Sequence, residues 1–296
     1  MGRRNCFGGQ VRFFILGANG LLGKHLTAEA KRNALEYIPI SRRSMPDIEH
    51  QLKNPTRFVE ELGAKSEDYI VNALGITRHR IQAGAPGADP NSIERINSKL
   101  PFALGESAQE IGFKVLQIGT DCVFSGQTGD YTEDSEYDAE DVYGKSKATG
   151  ESAPGIEVVR ASFIGTAGTN SPYLWDWVQN QKPGSTINGY TNVLWNGVTA
   201  EIHARLAVAI AQHRHPISGT QHLVPMNTVS KKKLLKLIST RLGRSDITVQ
   251  PTVTDNPKNM TLRTNNESVN SELWQLMSFD EAPTIEELIL NYSGSI

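Results

Sequence analysis

The chain has 296 residues, of which 38% are hydrophobic and 21% charged, and its formal net charge is −2. Such a composition belongs to an ordinary globular protein with room for one large α/β unit or two small domains. The near-neutral charge argues against nucleic acid or an anionic membrane as partner, and no apolar run approaches the ~20 residues that cross a bilayer.

Met1–Gln10 carries basic residues but no apolar run, and reads as a short leader outside the fold. A first strand is expected at Phe13–Leu16 and a helix at Leu21–Arg32, with Gly17-Ala-Asn-Gly20-Leu-Leu-Gly23 between and into them. Strand, glycine turn and helix together make an anion site, because the turn's free N–H groups and the helix dipole face one point. The GxxGxxG spacing is one residue longer than the common dinucleotide fingerprint. Gly17, Asn19, Gly20, Leu21, Leu22 and Gly23 are therefore the expected cofactor contacts.

A second strand, Tyr37–Ile40, runs into Ser41-Arg42-Arg43. An NAD site has a carboxylate for the ribose 2′-hydroxyl about 20 residues past the glycines. Here Arg42 and Arg43 stand instead, and a guanidinium fork suits a 2′-phosphate. The expected cofactor is NADP(H); the alternative for the two arginines is a solvated basic turn.

A helix at Arg57–Leu62 and a third strand at Tyr69–Ala73 follow, the latter bringing Asn72 and Ala73 to the cofactor edge. Ala83–Pro90 reads as a loop, either a plain connection or a rim to the site. In the helix expected at Ser92–Glu110, Asn97 is either buried beside the site or on the helix surface. The strand Val115–Ile118 ends in Thr120-Asp121-Cys122. In the helix Tyr143–Ser152, Tyr143 and Lys147 lie four apart and share a face. An ammonium beside a phenol favours phenolate, which makes Tyr143 a proton donor and acceptor.

A last apolar strand falls at Val158–Arg160. Apolar strands alternating with helices imply a Rossmann-type, doubly wound parallel sheet, here with a smaller, interleaved C-terminal domain. Ligands bind at the carboxyl ends of such strands, where Gly17, Asn72 and Thr120 all fall. Past Thr166 the four tryptophans appear, and helices are expected at Thr199–Arg214, Lys231–Leu242 and Thr284–Asn291. Lys231-Lys-Lys233 is either a diphosphate contact or a solvated face. Cys6 and Cys122 form no disulfide framework, no metal site is expected, and the cytoplasm is the expected compartment.

Five segments carry a family resemblance: Gly17–Gly23, Ile118-Gly-Thr-Asp-Cys-Val-Phe124, Tyr131-Thr-Glu-Asp134, Tyr143-Gly-Lys-Ser-Lys-Ala-Thr-Gly-Glu151 and Val159-Arg-Ala-Ser-Phe163. From Val11 to Thr166 the chain resembles an extended short-chain dehydrogenase/reductase, within it the dTDP-4-dehydrorhamnose reductase group. The resemblance implies NADPH-dependent reduction of the C4 keto group of a nucleotide-linked 4-keto-6-deoxy sugar. It implies Tyr143 as general acid, Lys147 on the nicotinamide ribose, Thr120 on the substrate carbonyl, and Asp47 and Ile48 near the adenine. Residues 1–166 would form the nucleotide domain, with 186–216 returning to it, and 167–296 mainly the substrate region. Asp121, Cys122 and Arg263 are expected on the substrate, although Asn259-Met-Thr-Leu-Arg263 matches the family's C-terminal Arg-Pro segment poorly.

Cys122 departs from the rhamnose type, which has tyrosine there, and resembles the epimerising cysteine of GDP-fucose synthases. Those enzymes add a histidine; none lies near Thr186, and the nearest is His203. The competing functions are thus a bifunctional epimerase–reductase using Cys122 and a non-catalytic NADP-binding regulatory subunit. A nucleotide sugar is the expected partner, and a homodimer is left open.

Overall fold

Strand β1 (Arg12–Leu16) is aromatic and β-branched, and its last four side chains are buried. Phe13 and Ile15 enter one core cluster, while Phe14 and Leu16 enter another on the opposite face. The same alternation recurs in β3 (Tyr69–Asn72), where Tyr69 and Val71 face one way and Ile70 the other. Strands with two apolar faces need cover on both sides, and the period of two sorts their side chains between the layers.

The computed structural model describes residues 11–41, 55–168 and 171–294. Its main sheet has six strands, all parallel. Besides β1 and β3 these are β2 (Glu36–Ile40), β4 (Lys114–Ile118), β5 (Glu157–Arg160) and β10 (Thr220–His222). From edge to edge the order is β10-β5-β4-β3-β1-β2. The chain winds outward from β1 to β2, then reverses through β3, β4 and β5. The fold is therefore the expected Rossmann-type one, and its topological switch point lies between β1 and β3.

One face is covered by α1 (Leu21–Arg32) and α8 (Ala200–His213), which pack on each other through Leu22, Leu26 and Ala30 against the alanine-rich Ala204–Ala211. Lys31 and Arg32 sit in the last turn of α1, where cations complement the helix dipole. The other face is covered by α2 (Pro55–Glu61) and α5 (Leu100–Ile111). The helix expected at Ser92–Glu110 is not uniform. An α-turn, α4 (Pro90–Ile93), passes into a π-helical segment, Glu94–Lys99, before α5 begins. A short helix, α3 (Arg78–Gln82), precedes Ala83–Pro90.

The remaining chain forms short pairs beside the main sheet. The strands β7 (Thr186–Tyr190) and β12 (Thr248–Thr252) pair in parallel, and β8 (Leu194–Trp195) pairs antiparallel with β11 (Val229–Ser230). Their core gathers Trp175, Trp195 and the apolar face of α9 (Lys231–Arg241). Trp274, on α10 (Glu267–Leu276), instead joins the core of the main sheet. The C-terminal helix α11 (Ile285–Leu290) starts in a reciprocal capping box between Thr284 and Glu287. Among the described residues, no helix is long and apolar enough to cross a membrane.

Candidate active site

Gly17 leaves β1 with φ +85°, a conformation that side-chain-bearing residues rarely adopt. A Cβ here would sit 2.9 Å from the Ala73 carbonyl oxygen, so the ends of β1 and β3 approach this closely only through glycine. A Cβ on Gly23 would meet the Gly17 carbonyl oxygen at 2.1 Å, so the first turn of α1 lies directly on the glycine turn. Gly20 caps α1 without a side-chain acceptor, and no acid occupies the first turn. The helix thus presents backbone donors and the positive end of its dipole, which fits a pyrophosphate. Arg42, Arg43, Asp47 and Ile48 lie outside the described residues.

A cavity of about 350 Å³ opens at this switch point. Leu21, Leu22, Asn72 and Ala73 line one side, and Thr120, Asp121, Cys122, Tyr143 and Lys147 line another. The start of α1, the Thr-Asp-Cys segment and the Tyr-Lys pair, distant in sequence, therefore share one cleft, whereas Gly17, Asn19, Gly20 and Gly23 are not among its lining residues. Asn19 is exposed. Asn72 is held by Gln117, whose side-chain oxygen takes its amide at 2.7 Å, and by the Leu74 N–H at 3.2 Å.

The helix α6 (Val142–Glu151) is capped by Asp141, whose carboxylate accepts from the Gly144 N–H at 3.0 Å. A Cβ on Gly144 would lie 2.3 Å from the Cys122 carbonyl oxygen, so this glycine lets α6 dock on the loop after β4. Asn97, the open position in the sequence, is buried. Its side chain accepts from the Ile76 N–H at 2.8 Å and donates to the Ile76 carbonyl and the Ser146 hydroxyl, each at 3.0 Å. It ties the loop after β3 to α6 between Tyr143 and Lys147. The π-helical segment that contains it is an irregularity of a kind that clusters at functional sites.

Beneath the cleft runs a buried ionic chain. Glu151 accepts the Thr120 N–H at 2.9 Å with one carboxylate oxygen and the fully buried Arg160 with the other. Arg160 in turn contacts His222 Nε2 at 2.7 Å and donates to the Tyr137 hydroxyl at 2.7 Å. Thr120 is thus fixed through its backbone. Its hydroxyl accepts from the Cys122 N–H at 3.2 Å and faces the Asp121 carboxylate.

The electrostatics depart from the expectation drawn from the Tyr–Lys spacing. Burial raises the Tyr143 phenol above its usual value, the Cys122 charge adds to this, and the Thr120 hydroxyl, within reach of the phenol, opposes it. One of the three Lys147 ammonium donors goes to the Ile118 carbonyl at 3.0 Å, and burial lowers the group against the pull of Glu151. Burial and Asp121 push the Cys122 thiol up to about 12, opposed by Arg78. His203, the nearest histidine in sequence, is buried behind Phe163, a lining residue, with its ring edge-on to it at 5.5 Å.

Arg263 is exposed and is not among the lining residues; its carbonyl accepts from His222 and its N–H donates to Tyr131. Of the lysine run, Lys233 pairs with Glu286 at 3.5 Å. Lys231 turns inward instead, and burial lowers its ammonium to about 8 while the Asp121 charge opposes this. Sequence reading missed Arg78 and Tyr173, which also line the cleft. Arg78 has one legible signal, its place just past the carboxyl end of β3, but a basic run there reads equally well as a solvated turn.

The model of the RmlD substrate binding domain matches residues 11–292. The chain belongs to this family. A dTDP-4-dehydrorhamnose reductase of Mycobacterium tuberculosis is 27% identical over 179 residues, 56% of this chain and 55% of the relative. The chain thus spans about half the length of that curated relative. The Salmonella typhimurium dTDP-4-dehydrorhamnose reductase is 26% identical over 249 residues, 75% of this chain and 81% of the relative. Among solved structures, the Bacillus anthracis dTDP-4-dehydrorhamnose reductase in complex with NADP superposes with a TM-score of 0.74. That match covers 95% of this chain and 98% of the other at 22% identity, which is a likeness of fold.

Proposed function

We propose that this protein is an NADPH-dependent reductase of the C4 keto group of a nucleotide-linked 4-keto-6-deoxy sugar. The observation that carries the reading is the meeting of Thr120, Tyr143 and Lys147 in the cleft that Leu21 and Leu22, at the start of α1, also line. Family membership and relatives named dTDP-4-dehydrorhamnose reductases support it.

The backbone donors at the start of α1 would hold the pyrophosphate of NADP(H), and Lys147 the nicotinamide ribose. When bound, NADPH supplies the hydride. NADP rather than NAD is supported by the arginines that replace an acid after β2 and by the NADP complex of the Bacillus neighbour. Thr120 would donate a hydrogen bond, keeping its proton, from its hydroxyl to the C4 oxygen and so orient the carbonyl. The O–H bond of Tyr143 breaks as that oxygen becomes an alkoxide, and the proton passes to it, leaving phenolate on the protein. The raised phenol keeps Tyr143 protonated and ready to donate at neutral pH.

The test follows NADPH consumption with a panel of 4-keto-6-deoxy nucleotide sugars, beginning with the dTDP-linked one. Consumption is expected with at least one of them, with NADH a poorer substitute. Tyr143→Phe should lower kcat by about 10²–10⁴-fold while NADPH affinity stays nearly constant. Failure of every sugar in the panel would replace the reductase with a nucleotide-binding subunit.

A further inference from the structure

We infer that Arg78 is a positioning residue that stabilises the phenolate of Tyr143, the role the Tyr–Lys spacing assigns to Lys147. Its guanidinium carbon lies 5.8 Å from the centroid of the Tyr143 ring. A cation near a phenol ring is attracted by the ring's electrons, and more strongly once the phenol has lost its proton and its charge spreads into the ring.

The placement is held from two directions. Arg78 is the first residue of α3, directly past the loop that Asn97 pins at Ile76. Its Nη2 donates to Asp141 Oδ2 at 2.6 Å, and the other oxygen of the same carboxylate caps the helix bearing Tyr143. One carboxylate therefore fixes both the cation and the start of the tyrosine's helix. The Arg78 Nε is buried and has no hydrogen-bond partner among the described residues, so that edge of the guanidinium is committed to no other acceptor among them.

Every other charged or titratable neighbour of the phenol is less suited. Asp121 and Cys122, on the loop after β4, and Glu151, on the same helix, disfavour a phenolate. Lys147 is engaged with the Ile118 carbonyl and is partly offset by Glu151. Asp141, the partner of Arg78, is nearly half exposed, and Arg78 itself is 40% exposed, so water screens both charges. His79, the next residue along, is exposed and stacks edge-on against Tyr173. Arg78 remains as the cation set over the ring, and its charge also reaches Cys122.

The consequence for turnover rests on Tyr143 being the proton donor, whereas the effect on ionisation does not. Difluorotyrosine placed at position 143 of the full chain, with its lower intrinsic ionisation, allows titration by fluorine NMR while the protein is folded. The midpoint should rise by about one unit or more in Arg78→Met, as expected for loss of an opposite charge at this range. Arg78→Lys should recover part of the shift. Superimposable curves for Arg78 and Arg78→Met would overturn the inference. In keto-sugar reduction by the otherwise unmodified chain, Arg78→Met should lower kcat about tenfold and leave the KM for NADPH unchanged. If the unmodified chain reduces no keto sugar, the functional reading fails while the titration still decides the role of Arg78.

Discussion

Cys122 is where neighbouring chemistries divide. A reductase never removes a carbon-bound proton beside the keto group, whereas an epimerase–reductase must. The thiol has a positive neighbour in Arg78, which the sequence could not reveal, yet burial and Asp121 outweigh it and hold the thiol near 12. A thiol so held is almost wholly protonated at neutral pH and makes a poor base. His203 stands behind Phe163 and cannot act as its partner in this arrangement. Reduction without epimerisation is therefore the expected outcome. Turnover in deuterated water, followed by NMR of the product, should show no deuterium at C3 or C5. Deuterium that vanishes in Cys122→Ser would assign base chemistry to Cys122 instead.

Among elements, α1 shows how one glycine supports both packing and binding. The 2.1 Å approach of a Cβ on Gly23 would be to backbone, which cannot swing aside. Gly23→Ala must push α1 off the Gly17 turn, dragging the buried Leu22 and Leu26 with it. Overpacking of this kind costs about 1–3 kcal/mol. The expected result is a lower melting temperature together with weaker NADPH binding, since the backbone donors move with the helix. Calorimetry in parallel with a cofactor titration checks both. Unchanged NADPH affinity at lowered stability would mean that the start of α1 is not the phosphate site.

At the scale of the whole molecule, His203 and His222, two of the three buried histidines among the described residues, help to set an acid limit. Burial lowers His203 and His222 to about 4, His222 with further lowering from Arg160. In the unfolded chain both return to about 6.5. As pH falls from about 6.5 toward 4, the unfolded state takes up protons that the folded state refuses, so stability falls with pH in that window. Each shift corresponds to about 3 kcal/mol if fully expressed. Neither ring nitrogen of His203 has a hydrogen-bond partner among the described residues, so His203→Leu should remove about one proton from the slope between pH 6.5 and 4. Urea unfolding across that range measures it; an unaltered slope would show that His203 is protonated in the folded state.

The sequence alone determined five of the six strands of the main sheet, because that information is local, whereas the short edge strand β10 (Thr220–His222) showed no such local pattern. Apolar strands such as Phe13–Leu16 and Val115–Ile118, the glycine turn and the 3.6-residue rhythm of Leu21–Arg32 each specify their element without a distant partner. Tyr143 and Lys147 were legible for the same reason, being one helical turn apart. What only the tertiary structure decided is what stands across the cleft. Arg78 comes from a basic run whose solvated and functional readings have the same local pattern, and only the docking of α6 sets it over Tyr143. Lys147 looked like the cation for the phenol, but its ammonium reaches down to the Ile118 carbonyl at the end of β4. The π-helical turn around Asn97 follows from contacts with Ile76 and Ser146, not from any propensity of Glu94–Lys99. Charges act through space, and the desolvation that sets their strength depends on every segment that closes around them. The identity of these residues could therefore be read along the chain, but their partners and protonation could not.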